Sequence, residues 1–153
     1  MLADAINPDC VLFAIESEGR KVDDKEDILR VMTEKLCGRQ EIGPKDEILD
    51  AVLERERERS TGIERGLAVP HCRTNAVENI HISIAILRDG IEWGSLDGGP
   101  THFIFLVIGP INKPEEYLKL LSQISRLMKS DTVRERLFEA RTPEEVIDIL
   151  RQD

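Results

Sequence analysis

The apolar positions follow two periods, and these predict the elements before any chemistry is considered. Between Ile80 and Leu87 they alternate: Ile80, Ile82, Ile84 and Ile86 share one face, and His81, Ser83, Ala85 and Leu87 the other. That is a strand with one strongly apolar face and a second, semi-polar face open to being covered as well. Phe103 to Ile108 is apolar without a break, as expected of a central strand buried on both sides, and Gly109-Pro110 closes it. Between these two strands, Asp89-Gly90 is expected to turn the chain and Ile91-Glu92-Trp93 to form a short strand. Asp97-Gly98-Gly99-Pro100 then turns it again. Nearer the N-terminus, the apolar run Cys10 to Ile15 reads as a strand or a strand plus turn, ended by Glu16-Ser17-Glu18-Gly19.

Elsewhere the spacing is helical. Ile28, Met32 and Leu36 fall four apart with Leu29 beside them. Asp23 or Asp24 caps this helix, which runs through about Cys37 with Gly38 as its stop. A second helix starts near Gly43-Pro44, with Pro44 in the first turn, and buries Ile48, Leu49, Val52 and Leu53. It runs into the alternation Glu54-Arg55-Glu56-Arg57-Glu58-Arg59, which reads first as a solvated helix end; the sharper alternative is that one arginine turns inward to the loop containing His71. After Pro114 a long amphipathic helix presents Leu118, Leu120, Leu121, Ile124, Leu127 and Met128. Ser130 or Asp131 starts a short helix carrying Val133, Leu137 and Phe138. Thr142-Pro143-Glu144-Glu145 is a capping box for the last helix, which buries Val146, Ile147 and Leu150. A helix pair, central strands and three further helices imply a sheet with helices packed on it. The expected fold is one α/β or α+β domain over residues 1–153.

Composition narrows the function classes. A chain of 153 residues buries about two thirds of its extended surface, so neither a metal nor a disulfide is required to hold it. Cys10, Cys37 and Cys72 are odd in number, widely separated and without metal-ligand spacing, which reads as free thiols in the cytoplasm. No apolar run approaches membrane-spanning length, and the first residues lack the pattern of a signal peptide. A net charge of −9 disfavours nucleic acid and anionic membranes and favours a protein partner with a basic docking patch.

The chemistry concentrates in Thr61-Gly62-Ile63-Glu64-Arg65-Gly66-Leu67-Ala68-Val69-Pro70-His71-Cys72-Arg73. Leu67 to Val69 suits a short buried strand, and Pro70 ends or turns it. His71 then stands at the rim of the core on a stiffened backbone, with a lone pair able to attack, accept a proton or bind a metal. The alternatives are weaker. Gly62 and Gly66 match neither a nucleotide loop nor a dinucleotide fingerprint, and serve tight turns. The spacings of His71 to His81 and His102 match no zinc motif, and His102 reads as a capping or surface residue. Cys72 adjoins His71, but sequence neighbours rarely form a thiolate–imidazole pair. Nucleophilic phosphoryl transfer remains, with an arginine fork for phosphate oxygens and a hydroxyl from Ser60 or Thr61 orienting the other ring nitrogen. No nucleotide motif is present, so the donor would be another phosphoprotein.

Glu54-Arg55, then Ser60-Thr61-Gly62-Ile63, then Gly66-Leu67-Ala68-Val69-Pro70-His71 closely resembles the phosphorylation motif of fructose/mannitol-type enzyme IIA domains. These belong to the phosphoenolpyruvate-dependent phosphotransferase system and include the stand-alone nitrogen-regulatory IIA proteins. The resemblance extends over nearly the whole chain. It implies a central mixed β-sheet with helices on both sides and no cofactor. It also implies that His71 accepts a phosphoryl group from the histidine-containing phosphocarrier protein, that Arg55 is the active-site arginine and that Thr61 holds the hydroxyl position. Sugar-transporting members usually carry a second active-site histidine where this chain has Tyr117. Tyrosine donates a hydrogen bond but is no proton shuttle near neutral pH. The resemblance therefore favours a nitrogen-regulatory phosphocarrier acting on target proteins. The alternatives are a transport subunit passing phosphate to a IIB permease component, and an interaction module whose histidine is never phosphorylated.

Overall fold

The computed structural model describes residues 2–13, 24–40 and 42–151. A single 3-10 turn, Ala3–Ala5, leads into β1 (Ile6–Leu12). Helices α1 (Lys25–Gln40) and α2 (Lys45–Glu58) follow, then two short strands, β2 (Leu67–Ala68) and β3 (His71–Arg73). The long strands β4 (His81–Ile91) and β5 (Thr101–Gly109) come next, and α3 (Pro114–Leu127), α4 (Asp131–Glu139) and α5 (Pro143–Arg151) complete the order.

The sheet runs β1-β4-β5-β2, with β3 also paired to β5. Among the described strands only β4 and β5 pair antiparallel; β1 lies parallel to β4, and β2 and β3 lie parallel to β5, so the sheet is mixed. Side-chain alternation on β5 divides the interior in two. Phe103, Phe105 and Val107 enter a core with α3, α4 and α5, while Ile104, Leu106 and Ile108 enter a second core with α1 and α2. The unbroken apolar run thus reflects a strand covered on both faces. On β4, Ile82, Ile84 and Ile86 join the first core. The semi-polar face is covered too: Ala85 packs in the second core, and buried Ser83 donates its hydroxyl to the Cys10 carbonyl at 2.9 Å.

Several local expectations need correction. Gly38 does not stop α1, which continues to Gln40; a Cβ built at Gly38 would meet nothing within 4 Å, so the glycine lies in open space and the helix simply passes through it. Asp89-Gly90 is not a turn. β4 runs through it to Ile91, and Gly90 at φ 72° sits where the register to β5 shifts between Ile86 and Ile91, a bulge rather than a hairpin. Glu92 and Trp93 consequently lie beyond the strand end. Leu118 was expected on the buried face of α3 but is 60% exposed, because Tyr117, Leu120, Gln123, Ile124 and Leu127 form the inward stripe. Near the N-terminus, Cys10–Leu12 ends a strand that begins at Ile6; Ala14 to Gly19 lies outside the described residues, as does Asp23. Pro44 is the N-cap of α2 and not part of its first turn, and the Glu145 carboxylate accepts from Arg141 N–H at 2.9 Å, so the capping box is completed one residue before Thr142. The Ser130 hydroxyl accepts from Val133 N–H at 3.2 Å, and that of Thr142 from Glu145 N–H at 3.2 Å.

Candidate functional site

The path from α2 to β3 is a tight loop folded back on itself. Arg65 and Gly66 adopt positive φ (58° and 77°), which brings Ile63 N–H to Leu67 C=O at 2.8 Å. Val69 N–H returns to Thr61 C=O at 3.1 Å, so the two arms of the loop are pinned together. A Cβ on Gly62 would stand 2.6 Å from Ser95 Oγ and 2.9 Å from Ser95 Cα, which fixes glycine there by close approach. Pro70 separates β2 from β3, offering no N–H, while its carbonyl still accepts from Val107 N–H at 2.9 Å. β5 therefore holds both short strands in register, and His71 begins the second one opposite Val107.

His71 is half-buried on the α3 side of the sheet. Its Nδ1 lies 2.6 Å from Val69 C=O. A carbonyl only accepts, so Nδ1 carries the proton and Nε2 keeps its lone pair. Burial lowers the imidazole pKa below its ordinary 6.5, and the Arg55 charge lowers it further, against opposing contributions from the Val69 hydrogen bond and Glu56. The ring is thus neutral and nucleophilic at pH 7. Arg55, in the last turn of α2, lines both clefts that open on His71, one of about 460 Å³ and one of about 280 Å³. One of its guanidinium nitrogens, Nη1, donates to Arg59 C=O at 3.0 Å. This is the inward arginine expected from the alternating run.

The hydroxyls expected at the ring are engaged elsewhere. Thr61 Oγ1 donates to the Glu56 carboxylate and accepts from Trp93 Nε1 at 3.3 Å; Ser60 Oγ donates to Trp93 C=O at 3.0 Å. Orientation of the imidazole falls to the Val69 carbonyl instead. Glu56, read from sequence as part of a solvated helix end, is only 4% exposed. Its carboxylate accepts from Thr61 N–H at 2.9 Å, from the Thr61 hydroxyl and from Lys25 Nζ at 3.2 Å, clamping the start of the loop to α1 and α2. A signal was present: Glu56 stands four residues after Val52 and three after Leu53, on the buried stripe of α2.

Tyr117 is buried beneath the site, its ring centre 6.1 Å from that of His71 and tilted by 55°. Burial, with Cys72 adding to it, raises the phenol well above its usual range, so it stays protonated. Cys72 points into the opposite core, where burial pushes its thiol up to about 12. His102 is structural: Nδ1 lies 2.9 Å from Leu87 C=O, and the ring meets Phe138 edge-on at 5.4 Å. Among the described residues, no three His, Cys, Asp or Glu side chains converge on a point that could hold a metal ion. No described helix is long and apolar enough to cross a membrane. The large apolar side chains left exposed among the described residues are Leu96 (81%), Ile111 (48%) and Leu118 (60%). All three line the clefts at His71.

Comparison with known proteins bears on the family and the fold. The chain is 33% identical over 129 residues to the fructose-specific EIIABC component of Bacillus subtilis, covering 84% of this chain and 20%, about a fifth, of that longer protein. It is 33% identical over 103 residues to the nitrogen regulatory protein of Pseudomonas aeruginosa, covering 67% of each. In structure it resembles the nitrogen regulatory protein IIA-Ntr of Neisseria meningitidis, with a TM-score of 0.87 at 23% identity over 97% of this chain and 98% of that one. Residues 14–153 match the family described as the phosphoenolpyruvate-dependent sugar phosphotransferase system, EIIA 2. A neutral, oriented imidazole beside an arginine on a mixed α/β scaffold thus stands in a chain that belongs to the EIIA type-2 family of phosphotransferase-system phosphocarrier domains.

Proposed function

We propose that His71 is the phosphoryl acceptor and that a histidine-containing phosphocarrier protein is its donor. The observation that carries this reading is the Nδ1–H bond to Val69 C=O, which leaves Nε2 as the free nucleophile in a cleft shared with Arg55. In the transfer the Nε2 lone pair forms a bond to phosphorus as the donor's N–P bond breaks. The electron pair of that broken bond returns to the donor imidazole, and Nδ1 keeps its proton. The product ring gains positive charge, which the Val69 carbonyl and the nearby Glu56 carboxylate favour, while Arg55 offsets charge on the phosphoryl oxygens. Thr61 supports the reaction indirectly, by fixing the loop through Glu56 rather than by touching the ring. The exposed Leu96, Ile111 and Leu118 around the cleft suit a protein donor, since they offer apolar area to a docking surface.

The domain acts, in this reading, as a nitrogen-regulatory IIA protein whose phosphorylated and free forms are told apart by target proteins. Tyr117 supports it: the phenol beside His71 stays protonated and shuttles no proton for onward delivery. Phosphorylation adds about −1.5 to −2 charges at the mouth of the cleft. The second reading, a transport subunit delivering phosphate to a IIB component, is favoured by the likeness to the fructose-specific Bacillus protein.

The test is a reconstituted relay of phosphoenolpyruvate, enzyme I and the phosphocarrier, read by intact mass under alkaline conditions. One phosphate on the parent and none on folded His71→Gln is the expected result. No phosphate on the folded parent, with the relay shown active, refutes the carrier reading and leaves an interaction module. Addition of IIB components separates regulator from transporter: rapid discharge to a IIB protein overturns the regulatory reading.

A further inference from the structure

Strand alternation places a second guanidinium at this site. Side chains two apart on a strand leave the same face, about 6.6 Å apart along the chain. His71 and Arg73 are so related on β3, while Cys72 between them enters the core on the other side. Arg73 and His71 line the same cleft, together with Tyr117. The Arg73 guanidinium carbon lies 5.8 Å from the centre of the Tyr117 ring, within cation–π range, and that ring is 6.1 Å from His71. Among the described residues Arg73 is exposed and forms no ion pair, so its only specific contact is the tyrosine ring. Tyr117 is itself immobilised, buried to 4% exposure, with its ring against Gly109, where an added Cβ would come within 2.7 Å of Tyr117 Cδ1. A rigid aromatic face, a free planar fork of donors and the candidate nucleophile therefore converge on one cleft of about 460 Å³.

We propose that Arg73 is a phosphoryl-binding residue, held beside His71 by the Tyr117 ring and sharing the oxygens of the transferred group with Arg55. This rests on the phosphocarrier reading above and adds to it a distinct role for the position where a second histidine is lacking. Tyr117 does not relay protons; it orients a permanent cation. Neither arginine gives or takes a proton in the transfer, so the balance of bonds already described is unchanged. The consequence is a phosphorylated form held more firmly than one arginine would hold it, suited to a domain whose phosphorylation state is read by other proteins.

The experiment measures the equilibrium constant for phosphoryl exchange with the phosphocarrier, and the phosphorus NMR titration of the phosphorylated domain, for four proteins. These are the parent, Arg73→Gln, Arg73→Lys and Arg88→Gln, the last removing one exposed positive charge from β4. Folding is checked by circular dichroism, and an exposed arginine is not expected to disturb it. Arg73→Gln should still accept one phosphate, with the equilibrium shifted back toward the donor about tenfold, as for loss of one charge-assisted pair. Its phosphoryl group should titrate at higher pH than in the parent; Arg73→Lys should restore part of both effects, and Arg88→Gln should match the parent. A parental equilibrium constant or a parental phosphoryl titration in Arg73→Gln overturns the proposal and leaves the carrier reading standing. A parent that takes no phosphate overturns both.

Discussion

Replacing Glu56 by alanine strips the loop of its anchor while leaving His71, Arg55 and Val69 untouched. Two buried donors lose their partner: the Thr61 N–H at 2.9 Å and the Thr61 hydroxyl, in a residue 7% exposed. A buried donor left unsatisfied costs about 1–3 kcal/mol, although the hydroxyl can rotate and recover part of its share. Lys25 Nζ loses its 3.2 Å ion pair, but its side chain is 30% exposed and keeps a 3.3 Å contact to Trp93 C=O, so solvent reduces that contribution to well under about 1 kcal/mol. The expected loss is about 2–4 kcal/mol for Glu56→Ala and about half that for Glu56→Gln, which retains one accepting oxygen. Urea unfolding followed by circular dichroism measures it, the midpoint falling at unchanged slope. The rate of phosphate acceptance should fall as well, because the Ser60–Val69 segment that presents His71 loses its attachment to α2. A loss below about 0.5 kcal/mol for Glu56→Ala, the range of an ordinary surface substitution, would refute the clamp.

Three further outcomes follow from the same structure. Phe105→Ala, at a fully buried position on the central strand, should destabilise the domain by about 3–5 kcal/mol in urea unfolding; a small loss would contradict a closely packed first core. Burial lowers the folded-state pKa of both His71 and His81, so the unfolded chain binds more protons as pH falls below 6.5; stability should be fully present above that value and drop beneath it. His71→Gln should make the urea midpoint less sensitive to pH between 7.5 and 5.5, and an unchanged slope would count against a buried neutral ring. The Cys72 thiol, buried and pushed up to about 12, should resist iodoacetamide at pH 8 in the native protein and react once unfolded, whereas native labelling would place it outside the core.

The two long strands were legible because Ile80–Leu87 and Phe103–Ile108 carry their burial in their spacing, and nearly every helix announced itself by an apolar stripe or a cap. Errors fell where tertiary packing overrode a local signal. Gly90 reads as a turn residue, yet the pairing of β4 with β5 continues past it and uses its positive φ for a bulge. Leu118 fits the helical period of α3, but the helix is rotated so that Tyr117 and Gln123 face inward. In the candidate site, His71 stood out by residue type and position, whereas the alternating run offered only an unspecified arginine and Arg55 was singled out by the resemblance to the phosphorylation motif. Val69 was not, because its contribution is a carbonyl that every residue possesses; only the fold brings it to Nδ1. Glu56 was hidden by its charged neighbours despite lying on the buried stripe, and Arg73 by the lack of any pattern beyond two-residue alternation.

Phosphoryl acceptance by His71 depends on which ring nitrogen is free. Nitrogen-15 NMR of the imidazole, recorded before and after phosphorylation by the relay, reads this directly. The Val69 hydrogen bond requires an Nδ1–H tautomer in the free protein and phosphorus bonded to Nε2 afterwards. Phosphorylation at Nδ1, or an Nε2–H tautomer in the free protein, would contradict it.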